Sequence, residues 1–110
     1  MINWSWAATS LNALRNKGIE PIVGLVHHGS GPSFTSLASK KFPELLSRYA
    51  AEVAKQFPWI KYYTPVNEPL TTARFSGLYG IWYPHKSNDL SFARMLLNQL
   101  KGVVLSMQEI

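Results

Sequence analysis

Hydrophobic positions along the chain fall into separate blocks, and each block predicts an element. Ala7, Leu11 and Leu14 recur at i, i+4 and i+7, which predicts a first helix. Asn3 or Ser5 can cap its start, and Gly18 stands where a left-handed residue ends a helix. Pro21 to His27 is then apolar without alternation, as in strands covered on both faces. Gly29 to Pro32 marks an irregular loop. Pro43 opens a second helix in which Leu45, Leu46, Tyr49, Ala50, Val53, Ala54 and Phe57 repeat, and Pro58 stops it. A second buried strand is predicted from Lys61 to Asn67, followed by a loop rich in glycine and aromatics up to Asn88. Asp89 opens a last helix whose apolar stripe is Phe92, Ala93, Leu96, Leu97, Leu100, Val103, Val104 and Met107.

The order α-β-α-β-loop-α contains a βαβ unit, which implies parallel strands and a right-handed crossover. Two parallel strands with both edges open do not stand alone. The fold class is therefore α/β, and the expected parent is either the eight-stranded (β/α)8 TIM barrel or a doubly wound sheet. No GxGxxG or Walker A pattern supports the second. A complete barrel takes about 250 residues, against 110 here. Residues 1–110 are accordingly expected to be a partial barrel domain, truncated at both ends, with Ile110 inside a helix. Such a piece is expected to fold weakly by itself or to self-associate through its unpaired strand edges.

Charge and composition narrow the function classes. The net charge is +5, from 11 basic and 6 acidic residues. The basic residues are scattered, with Lys40-Lys41 the one adjacent pair, which argues against a nucleic-acid-binding face. Without cysteine there is no disulfide framework and no thiolate metal site. The start resembles no secretory signal, and the apolar runs are too short to cross a bilayer. A soluble, cytoplasmic protein with no membrane partner is the expectation.

In parallel α/β folds the working residues sit at the carboxyl ends of strands. His27-His28 and Asn67-Glu68-Pro69 occupy those places. Glu68 can act there as a general acid or base, or sit solvated in a turn closed by Pro69. Asn67 offers both a donor and an acceptor to a hydroxyl. His27 can contact a ligand or be a buried strand-end histidine. Trp82, Tyr83 and His85 can stack on a ligand's apolar face or pack the loop, and Arg74 can line a pocket or remain solvated. A metal held by His27, His28 and Glu68 is disfavoured, because adjacent strand residues point to opposite faces. No cofactor and no metal are expected.

Pro65-Val66-Asn67-Glu68-Pro69 resembles the fourth-strand signature of clan A glycoside hydrolases, and its surroundings resemble family 1, the β-glucosidase family. Gly18 to His27 is similar to that family's segment leading into the third strand. Phe42, Tyr49-Ala50 and Phe57 fall where its intervening helix places similar residues, and Gly80 and Pro84 keep its loop spacing. The resemblance covers nearly the whole chain, as about the third and fourth βα units. It implies Glu68 as the catalytic acid/base and Asn67 and His27 as residues that bind a carbohydrate, a β-glycoside; His28 and Trp82 are further candidates for binding it. Departures are Pro65 where many members have threonine, His28 where many have tryptophan, and His85 where glycine is common.

Retaining hydrolysis needs two carboxyl groups about 5–5.5 Å apart. Glu20, Glu44, Glu52, Asp89 and Glu109 are each placed in the sequence away from a strand's carboxyl end. In the resembling family the nucleophile is a glutamate on the seventh strand, beyond Ile110. The expected function is thus β-glucosidase-type hydrolysis by double displacement, with this stretch alone inactive. The alternatives are a non-catalytic carbohydrate-binding or regulatory remnant, and a cellulase-type hydrolase of the same clan.

Overall fold

The computed structural model describes residues 1–110. Helix α1 (Ser5–Asn16) leads to strand β1 (Ile22–Val26), helix α2 (Phe42–Gln56) and strand β2 (Tyr62–Val66). A short helix α3 (Pro69–Ala73), a π-helical turn (Arg74–Leu78) and helix α4 (Asp89–Glu109) complete the chain. The predicted order therefore holds, with one addition. The segment after β2, expected to be loop, begins with ten residues of helix, Pro69–Leu78. Pro69 opens it at a first-turn position. The π-turn closes through the Tyr79 N–H to the Arg74 carbonyl at 2.8 Å.

The strands pair in parallel, with Ile22 opposite Tyr62, Val23 opposite Tyr63, Gly24 opposite Thr64 and Val26 opposite Val66. The register omits the position where Leu25 would face Pro65. Proline lacks the N–H that a ladder bond there requires. Burial of the strands differs from the sequence expectation. Val23, Leu25, Tyr63 and Pro65 turn toward the helices, whereas Ile22, Gly24, Tyr62 and Thr64 are exposed. Ile22 keeps 72% of its surface in contact with solvent. Only one face of the sheet is covered until the carboxyl end, where Val26 and Val66 are packed as well, and the continuous apolar run disguises that asymmetry.

The covered face carries two clusters. Leu37, Phe42, Leu46, Val66, Ala73 and Met95 form one, where α2, α4 and the end of β2 meet. Val53, Phe57 and Ile60 form the other, joined by Ala7 and Leu11 of α1. The predicted faces of α1 and α2 are thus the faces that pack. Trp4 meets Phe57 edge to face, with centroids 5.7 Å apart. The N-cap of α1 is Trp4, with no side-chain capping bond, so neither Asn3 nor Ser5 is the cap, although the Asn3 carboxamide accepts the Ser5 N–H at 3.0 Å. Gly18 ends that helix with φ +72°, as its position predicts.

Helix α4 packs differently from its apolar pattern. Its buried residues are Met95, Gln99, Gly102 and Ser106, while Leu97, Leu100, Val104 and Met107 are exposed. Small residues let α4 approach α2 closely: a β-carbon on Gly102 would lie 3.0 Å from Leu46 Cδ2. Its cap is Asn88, whose side chain accepts the Ser91 N–H at 2.8 Å, and Asp89 adds a first-turn negative charge.

The solvent-accessible surface is 7049 Å². A compact monomer of this mass exposes about 6,100 Å². The radius of gyration, 14.8 Å, exceeds the value of about 13 Å expected for a compact domain of this length. The excess reflects the open sheet face and the free side of α4. No helix is long and apolar enough to cross a membrane.

Candidate functional site

The parallel ladder carries past the end of β2 by one bond, from the Asn67 N–H to the Val26 carbonyl at 2.9 Å. That bond fixes Asn67 beside the first residues after β1, so His27-His28 and Asn67-Glu68 share the carboxyl end of the sheet. Glu20 and Lys61 precede their strands and pair at 3.3 Å at the opposite end. Glu68 then takes a left-handed conformation, φ +46°, immediately before Pro69. An L-residue pays for that conformation through crowding of its β-carbon, and such strain clusters at functional positions. The turn projects Glu68 outward, with 58% of its side chain exposed.

Two adjacent residues of α4 brace the loops that bear these groups. Fully buried Gln99 donates to the Pro69 carbonyl at 3.0 Å and the Met95 carbonyl at 3.1 Å. Asn98 donates to the carbonyls of Leu37 at 2.8 Å and Ser39 at 3.1 Å, in the segment after β1. Nothing in the sequence marks these two amides. They lie 30 or more residues from the loops they hold, and their role depends on which side of α4 docks.

His28 sits at the centre of the site. Strand β1 ends at Val26, and His28 adopts φ +23°, so the expectation that the two histidines point to opposite faces fails. Their rings stack, with centroids 4.1 Å apart and planes 26° from parallel. On its other side His28 stacks with Trp82 at 5.2 Å and 28°. Phe75 meets Trp82 edge-on at 4.7 Å, a support unanticipated from sequence. The His28 Nε2 atom lies 3.2 Å from Glu68 Oε2 and 2.9 Å from Asn67 Nδ2.

Beside this stack opens a cavity of about 460 Å³, lined by His27, His28, Trp82 and Tyr83 together with the Gly29–Ser33 loop. Asn67 and Glu68 do not line it but contact His28, which does. All five residues singled out as catalytic or sugar-binding are therefore gathered at one end of the sheet. His27 is exposed rather than buried. His85, φ +60°, is engaged with the Gly80 carbonyl at 3.0 Å, and exposed Arg74 opens the π-turn. No group of three or more histidine, cysteine, aspartate or glutamate side chains is placed to hold a metal ion. Of the other acids, Glu44 pairs with Arg48 on the outer side of α2, Glu52 lies further along that helix, and Asp89 and Glu109 sit at the two ends of α4.

No protein-family model and no curated protein sequence matches the chain. Solved structures do. The β-glucosidase from Thermotoga maritima in complex with castanospermine superposes with a TM-score of 0.86 and 21% identity, over 96% of this chain and 25% of that one. The glucoimidazole complex of a β-glucosidase from the same organism gives 0.83 and 19%, again over 96% and 25%. A structure described as a family 1 β-glucosidase from Thermotoga maritima gives 0.81 and 19%, over 94% and 24%. The chain spans about a quarter of the length of these TIM-barrel enzymes and has the fold of that part of the barrel.

Proposed function

We propose that the chain carries the acid/base half of a retaining β-glycosidase site, built on the third and fourth βα units of a family 1-like barrel. The observation that supports this most is the convergence of Glu68, Asn67, His27, His28 and Trp82 at the carboxyl ends of two parallel strands. In a (β/α)8 barrel that end is where substrates bind.

In this reading the Glu68 carboxyl group protonates the glycosidic oxygen as the bond to the anomeric carbon breaks. As carboxylate it then takes a proton from the water that releases the sugar. Asn67 binds the hydroxyl next to the reacting carbon and His27 another hydroxyl of the same ring. The face of Trp82 packs on the sugar's C–H groups. Double displacement needs a second carboxyl group about 5–5.5 Å from the first. None of the other acids stands at the carboxyl end of a strand. The residues described here therefore bind and protonate but do not complete turnover. That same feature supports a second reading, a carbohydrate-binding module without catalysis.

Titrating the isotopically labelled chain with castanospermine, a ligand of the structurally similar β-glucosidase, tests both readings. Shifts confined to the amides of residues 27, 28, 67 and 68 and to the Trp82 indole are expected. Unchanged spectra, or shifts at the Glu20–Lys61 end, contradict them. No hydrolysis of an aryl β-glucoside by the chain alone is expected, and turnover would contradict the need for a second carboxyl group from elsewhere in a barrel.

A further inference from the structure

We infer that His28 is a positioning residue for Glu68: neutral and protonated at Nε2, it holds carboxylate oxygen Oε2 and leaves Oε1 to carry the catalytic proton. This rests on the reading of Glu68 as the acid/base. The geometry poses a choice, because Nε2 faces Glu68 Oε2 at 3.2 Å and Asn67 Nδ2 at 2.9 Å. A carboxylate only accepts hydrogen bonds, an amide nitrogen only donates, and a neutral imidazole nitrogen does one or the other.

If Nε2 is bare, it accepts from Asn67 but sets its lone pair against that of an ionised Glu68 oxygen. If Nε2 carries the proton, it donates to the carboxylate, the stronger bond because the acceptor is charged. The Asn67 amide then turns by half a rotation, exchanging two atoms of nearly equal size. Nε2–H then lies between two oxygens, and the Asn67 NH2 faces away from the ring.

Stacking sets the plane of the ring, in which Nε2 faces Glu68. The ring lies between the stacked faces of His27 and Trp82, and Phe75 braces Trp82 from the edge. Glu68 is held at its backbone by the left-handed turn, but its half-exposed side chain has freedom to rotate. A donor on Oε2 removes that freedom. It also decides which oxygen takes up a proton, since the occupied Oε2 is the less basic of the pair.

Long-range 1H–15N spectra of the labelled 110-residue chain, recorded above the pH range of histidine titration, read the ring directly. We expect His28 to show a protonated Nε2 and a bare Nδ1, and Glu68→Ala to shift the Nε2–H resonance. The Glu68 side-chain three-bond couplings should report one rotamer in the parent, averaged values in His28→Phe, which keeps a ring in the stack, and recovery in His28→Gln, which restores a donor. A His28 ring protonated at Nδ1, or Glu68 couplings untouched by His28→Phe, overturns the inference. Should His28→Phe fail to fold, the response of the native ring to Glu68→Ala decides alone. Loss of all iminosugar binding by the parent, with the Nε2–H bond intact, would sink the glycosidase reading and leave this hydrogen bond standing.

Discussion

Asn67 donates its backbone N–H to the carbonyl of Val26 at 2.9 Å, one residue beyond the last paired position of the sheet. That bond brings two separated stretches of sequence, His27-His28 and Asn67-Glu68, into one site. It fixes where Glu68 begins its left-handed turn, and therefore the direction in which the carboxylate leaves the strand.

The turn carries a cost that substitution can relieve. Glu68 has φ +46°, and asparagine tolerates this region better than other residues with side chains. Glu68→Asn should raise the unfolding free energy by about 0.5–1 kcal/mol. Urea denaturation with an unchanged m-value reads the gain. A loss of stability would show that Glu68 contributes more through contacts than it costs in strain.

Two glycines permit the close packing of α4, and they should respond unequally to alanine. A β-carbon on Gly77 would stand 2.9 Å from Phe92 Cα and 3.0 Å from Phe92 N, atoms of rigid backbone. Gly77→Ala should cost about 1–3 kcal/mol through overpacking. A β-carbon on Gly102 meets the end of the Leu46 side chain at 3.0 Å, and alanine recovers about 1 kcal/mol of helix propensity. Gly102→Ala should therefore stay close to the parent. Thermal melts that rank the two variants the other way contradict this account of how α4 packs on the π-turn and on α2.

Tyr63 links stability to alkaline pH. Its hydroxyl oxygen is buried without a hydrogen-bond partner, and burial raises its pKa above the usual 10.0. The unfolded chain therefore loses this proton at lower pH than the folded one, so stability falls as pH rises through 10.0. Below that pH the effect vanishes. Tyr63→Phe should remove this part of the alkaline loss and leave stability at neutral pH equal or higher, because an unsatisfied buried hydroxyl disappears. Denaturation midpoints at pH 8 and above 10 in both proteins make the comparison. An identical alkaline slope in the variant is the contrary outcome.

The uncovered sheet face and the free side of α4 should make the chain self-associate. Ile22, Tyr62, Leu97 and Val104 are each more than half exposed, and contiguous apolar surface and open strand edges favour association. Sedimentation velocity should show a sedimentation coefficient that rises with concentration, reduced in Ile22→Lys and Leu97→Lys. A concentration-independent monomer would mean that these surfaces tolerate water.

Much of the frame was legible because the chain punctuates its elements with residues of fixed backbone preference. Gly18, Pro43 and Pro58 each stand at the boundary they signal. The strand ends, and with them the placement of Glu68 and His27, follow from the short apolar runs. Hydropathy could not reveal which side of a strand or helix would be covered. Ile22 and Leu97 look like core and lie in solvent, while Gly102 and Ser106 look neutral and lie inside. The π-turn from Arg74 to Leu78 has no hydrophobic period, and its closeness to Phe92 depends on Gly77. The pairing of His28 with Glu68 was hidden because it depends on one backbone angle at His28, φ +23°.

The most direct measurement is a crystal structure of the chain grown with deoxynojirimycin, a ligand of a structurally similar β-glucosidase. The iminosugar is expected between the Trp82 ring and the Glu68 carboxylate, with Asn67 and His27 on its hydroxyls. A ligand bound beside Glu20 and Lys61, or none at a concentration that saturates a weak site, would contradict it.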